Sequence, residues 1–95
     1  MIERPRWSAS VGLLSRAIGK HPDAPVNYLL RGEAWLALDQ TDRARADFET
    51  ARRLAEGLLT QSAWGYIYQA YIDRADAGLR SVGSFEERYD GNDSH

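Results

Sequence analysis

A chain of 95 residues with no cysteine allows one small domain at most, without a disulfide staple. Its 43% hydrophobic and 27% charged residues describe an ordinary globular chain, and a net charge of −2 argues against a nucleic-acid partner, which needs a basic excess. No apolar run approaches the roughly 18 residues of a membrane span, and the N-terminus has no apolar signal core, so no membrane partner is expected and the expected compartment is the cytoplasm.

Residues 1–7 read as a flexible lead, and residues 8–83 as a single domain. A first helix is expected from Ser8, whose hydroxyl can cap free backbone N–H groups, with Val11, Leu14, Ala17 and Ile18 recurring at helical spacing. Pro22 and Pro25 forbid a continuous helix across residues 21–25; Asp23 can cap the next one, with Pro25 in its first turn. The second helix is expected over 24–38. Asp39, Gln40 and Thr41 make a polar turn, with Thr41 as N-cap of a third helix over 42–56. Arg43, Arg45, Asp47, Glu49, Arg52 and Arg53 form its expected outer face, with i,i+4 pairs such as Glu49–Arg53.

Gly57 permits a turn, and Thr60 or Ser62 can cap a last long helix over 60–82, for which a break near Asp73 is the alternative. Trp64, Tyr68, Tyr71, Ala75, Leu79 and Val82 fall on one stripe and read as core, while Asp73, Arg74, Asp76 and Arg80 supply a wet side. Tyr66 lies roughly opposite the stripe. Gly83 ends this helix. Residues 84–87 look like a capping box opening a short helical turn, within a tail over 84–95 that is polar and expected to be disordered at its end.

Within residues 28–54, Tyr28, Gly32 and Trp35 are followed across a short turn by Ala44, Phe48 and Ala51. Small residues let two antiparallel helices approach, and the aromatic rings fill the space beside the contact. The pattern resembles the tetratricopeptide (TPR) repeat, W-x2-L-G-x2-Y…A-x3-F…P over 34 residues. Arg31 replaces the usual Leu, and Glu56 the usual Pro, which suggests that the helix runs past its usual stop. At an offset of 34, Leu14 falls on Phe48 and Ala17 on Ala51, so residues 8–20 resemble the second helix of a preceding repeat. At an offset of 33, Gly65 falls on Gly32 and Tyr68 on Trp35, so the last helix begins as a third repeat and ends as a cap. The implied fold is all-α: antiparallel helical hairpins stacked as a short TPR-like α-solenoid of about four main helices.

The sequence carries no motif for catalysis. His21 and His95 lack any paired ligand spacing, and neither a nucleophile elbow nor a phosphate loop occurs, so no enzyme activity, metal or cofactor is expected. The resemblance instead implies a protein or peptide partner held in a concave groove, as in an adaptor or scaffold. The implied groove positions are Val26, Leu29, Glu33, Leu36 and Ala37, matched by Leu59, Ser62, Tyr66, Gln69 and Ala70. Leu30 stands where TPR domains that hold a C-terminal carboxylate carry an Asn, and Glu33 nearby puts a negative charge in the implied groove, which disfavours that ligand. The alternative is a self-associating subunit. The first helix lacks its own repeat partner, so Leu13, Leu14 or Ile18 beside Trp7 can invite a homodimer, belong to a longer array, or be covered by Trp7.

Overall fold

The computed structural model describes the backbone of residues 4–93 and the side chains of residues 6–84. The chain is all-α, with four helices: α1 (Arg4–Lys20), α2 (Pro25–Ala37), α3 (Thr41–Leu59) and α4 (Gly65–Asp93), and no strand among the described residues. Short turns fold each helix back along its predecessor. α2 lies against α1, α3 and α4, α3 also packs on α4, and among the described residues α1 packs on α2 alone.

The core belongs to α2, α3 and α4. Leu29, Ala44, Phe48, Ala51, Ala75 and Val82 form one buried cluster, with Tyr28, Trp35, Leu36, Tyr71 and Leu79 packed around it. Phe48 is its centre and is fully buried, which contributes about 1.5–3 kcal/mol. Two glycines make room for it. A Cβ on Gly32 of α2 would stand 2.9 Å from the Phe48 ring, and one on Gly78 of α4 only 2.4 Å from it. The ring therefore lies in a slot between the backbones of two helices. The role of Gly32 follows from the hairpin pattern. That of Gly78 does not, because the offset of 33 matches Gly65, not Gly78, to Gly32.

Several helix ends differ from the sequence expectation, each for a local reason. α1 starts at Arg4 rather than Ser8, so Trp7 is a half-buried residue of the helix and not part of a lead. Pro5 is compatible with that start because an N–H in the first helical turn has no partner to lose. At α2 the N-cap is Ala24, not Asp23, and Pro25 supplies the first turn. At α3 the N-cap is Gln40, and Thr41 is the first helical residue. Between them the chain closes with Gln40 N–H donating to Trp35 O (2.9 Å) and Asp39 N–H to Leu36 O (3.0 Å). This Schellman arrangement needs a left-handed residue, and Asp39 occupies it with φ of 61°.

α3 runs through Gly57 to Leu59, and α4 begins only at Gly65, not at residue 60. α4 then continues without a break at Asp73 or Gly83 to Asp93. Among the described residues no glycine has positive φ, so Gly83 keeps the helical conformation and does not act as a stop. Residues 84–87 consequently lie inside a helix rather than opening one, and residues 90–93 are helical; residues 94–95 lie outside the described residues.

Candidate functional site

The positions implied for a groove do not line one continuous surface. Val26 is half-buried and borders an open cavity of about 620 Å³ beside the α1–α2 turn. Leu29 is fully buried, so it is a core residue and not a groove residue, because α2 turns that face toward α3 and α4. Glu33, Leu36 and Ala37 border a second cavity of about 410 Å³ with Arg74, Ala77 and Gly78. Ser62 precedes α4, where its Oγ accepts the backbone N–H of Trp64 at 3.0 Å. Tyr66 is 69% exposed, and exposed Gln69 donates to Asp73 Oδ1 at 3.1 Å.

The register between α2 and α4 explains this scatter. Arg74 Nη2 donates to Glu33 Oε1 at 2.7 Å across 41 residues, whereas an offset of 33 would set Tyr66 beside Glu33. α3 is longer than the repeat pattern implies and its turn into α4 is longer too, so α4 slides along α2 by about two turns. Glu33 is thus neutralised by a cation, and Arg74 ties α4 to α2 rather than facing water alone. Arg52 likewise joins α3 to α4 through Asp76 Oδ1 at 2.7 Å, while its Nη1 donates to Glu56 Oε2 at 2.7 Å. Both carboxylates push the Arg52 pKa upward, led by the hydrogen bond to Asp76. α3 carries an i,i+4 ion pair at Arg52–Glu56 and an i,i+3 pair at Arg45–Asp42.

Aromatic rings and prolines form part of the wall of the larger cavity. Trp64 lines it from the turn before α4, Tyr68 and Tyr71 from the first turns of α4, and Pro22, Pro25 and Val26 from the α1–α2 turn and the first turn of α2. Trp64, expected in the core, is 58% exposed because it sits in the turn before α4, where helical periodicity does not apply. Its ring lies 6.2 Å from that of Tyr66, and Tyr68 and Tyr71 meet edge-on at 6.1 Å. Tyr28 holds the opposite wall in place by donating its hydroxyl to Pro22 O at 2.9 Å. The turn itself, with Lys20, His21 and Asp23 at the mouth, was not legible as part of a site. The spacing of residues 64, 67, 68 and 71 reads as one helix face, but only the length of the α3–α4 turn decides that this face overhangs the end of α2.

One polar cluster is structural. Arg31 donates from Nε and Nη2 to the two carboxylate oxygens of Asp47 (2.7 and 2.8 Å) and from Nη1 to Ser15 Oγ (3.0 Å), joining α1, α2 and α3. Asp47 is 5% exposed, so it is not on the outer face. It falls on the buried stripe of Ala44, Phe48, Ala51 and Ala55 at helical spacing. The hydrogen bond to Asp47, opposed by burial and aided by its charge, raises the Arg31 pKa. Arg31 pairs with Asp47 at the 16-residue separation that also brings Gly32 to Phe48, and that shared spacing was the available signal.

Among the described residues no three His, Asp or Glu side chains converge as a metal site, and no helix is long and apolar enough to cross a membrane. In comparison with known proteins, no family model matches the chain, and neither does any curated protein or solved structure.

Proposed function

We propose that this chain is a non-catalytic interaction module of TPR-like design that holds a peptide or protein partner on the side where α2 and α4 meet. The observation that carries the reading is the open cavity lined by Trp64, Tyr68 and Tyr71, with Trp64 58% exposed and the 69% exposed ring of Tyr66 lying 6.2 Å from that of Trp64. Rings left more than half in water forgo burial worth on the order of 25 cal/mol for each Å² they still expose, a part of the about 150–250 Å² that full burial would remove. Such rings beside a concave apolar wall suit a partner that covers them. The relevant groove residues are then Val26 and Tyr66 at the aromatic end, with Glu33 and Leu36 in the second cavity. Panning an unbiased peptide library against the chain tests this. Selected peptides should bind the native protein and lose at least tenfold in affinity with a Trp64→Ala/Tyr66→Ala variant that keeps its helical circular dichroism. Failure to select any peptide that depends on these rings would defeat the reading.

A second reading, self-association, is favoured by one observation. Among the described residues α1 packs only on α2, and Leu13 on it is 61% exposed. Light scattering over a range of concentrations separates the two. A dimer abolished by Leu13→Glu supports self-association, and a monomer throughout removes it.

A further inference from the structure

We propose that the aromatic cavity takes a proline-rich segment in the polyproline II conformation; this deepens the interaction reading above and rests on it. The cavity is built, not improvised. Its volume of about 620 Å³ lies within the roughly 300–1,000 Å³ of ordinary ligand pockets. One wall is stiffened by Pro22 and Pro25 and by the Tyr28 hydroxyl bonded to Pro22 O. The other wall is set at the start of a long helix that is tied to its neighbours by Arg74–Glu33 and Arg52–Asp76.

The polar groups on the ring wall point to one kind of guest. Among the described residues, no hydrogen bond takes up the indole N–H of Trp64 or the hydroxyls of Tyr68 and Tyr71, which line the cavity. These groups can all donate. A proline-rich strand has the converse chemistry. It offers a carbonyl every ~3.1 Å, donates nothing from its proline nitrogens, and presents flat pyrrolidine faces to aromatic rings. It also enters already ordered, so it loses little entropy on docking.

Charge at the mouth narrows the choice further. Lys20, the last residue of α1, and Asp23, in the turn after it, both line the cavity and carry opposite charges. An uncharged guest matches this balance. A quaternary ammonium, the other common occupant of ringed cavities, gains from a net negative cage, which Lys20 opposes here.

The test uses the whole chain and a labelled decaproline peptide, read by fluorescence anisotropy, with a Gly-Ser peptide of equal length and tetramethylammonium as competitors. The expected result is saturable decaproline binding that neither competitor displaces. Trp64→Ala should weaken it at least tenfold, and Tyr68→Phe, which keeps the ring and removes only the donor, about threefold or more. Circular dichroism of both variants checks the fold. Decaproline binding no better than Gly-Ser, binding indifferent to Trp64→Ala, or displacement by tetramethylammonium would each overturn the inference. Peptides selected without bias that depend on Trp64 yet lack proline would overturn it while leaving the interaction reading intact. If no peptide of any composition binds, both fall.

Discussion

Gly32 and Gly78 do opposite things to stability from what helix propensity alone dictates. An alanine inside a helix gains about 1 kcal/mol over glycine. At Gly57, where an added Cβ meets nothing within 4 Å, that gain should appear as a higher Tm for Gly57→Ala. At Gly32 and Gly78 the added carbon meets the Phe48 ring, and the ring cannot swing away from one glycine without striking the other. Gly32→Ala and Gly78→Ala should each lose about 1–3 kcal/mol, with Gly78→Ala the worse, in urea titrations. The Arg31–Asp47 pair calls for a cycle rather than a single change. Asp47→Ala strands a guanidinium that is only 22% exposed and should cost about 2–3 kcal/mol. Adding Arg31→Leu, the residue usual at this position in the family the hairpin resembles, should recover most of that loss, since an apolar replacement leaves no unpaired charge. The raised Arg31 pKa means that its share of the stability is full at pH below the ordinary guanidinium value and is lost only as strong alkali passes the raised one. In the neutral range the guanidinium adds no slope of stability with pH.

Among the elements, the turn from α2 to α3 rests on one backbone conformation. Because Asp39 holds φ of 61°, Asp39→Ala should be less stable than Asp39→Gly by about 1–2 kcal/mol, although both lose the same carboxylate; thermal melts of the two variants decide it. The existence and order of the four helices were legible from the periodicity and from Pro22 and Pro25. The α2–α3 pairing was legible as well, because Gly32, Ala44, Phe48 and Ala51 carry a pattern of size and not merely of hydropathy. Helix ends were harder to read. Thr41 offers capping chemistry but lies one residue inside, and Gly57 and Gly83 lack the left-handed φ that would make them stops. The register of α4 was hidden for a related reason. A match at Gly65 and Tyr68 constrains sequence alone, whereas the slide of α4 depends on how far α3 runs and how long its turn is. That slide brought Arg74 rather than Tyr66 to Glu33, while the late start of α4 left Trp64 in an exposed turn.

At the scale of the molecule, the chain is elongated, 51 × 27 × 18 Å, and its stability is unevenly spread. The central cluster draws nothing from α1, which is held by its face on α2 and by the Ser15–Arg31 bond. At the level of Phe48 the molecule is three backbones thick, and the ring fills the gap between two of them. A phenyl ring that turns half a revolution about its axis must sweep space its flat resting position does not occupy. Here that space belongs to the backbones of α2 and α4, in an interior with few voids. The turn can therefore happen only when those helices part for a moment. In proton NMR spectra the two edges of Phe48 should give separate signals when cold and merge on warming. The merging rate would time the breathing of the whole stack, and a ring already averaged at low temperature would mean that the slot is looser than two glycines against one phenyl allow.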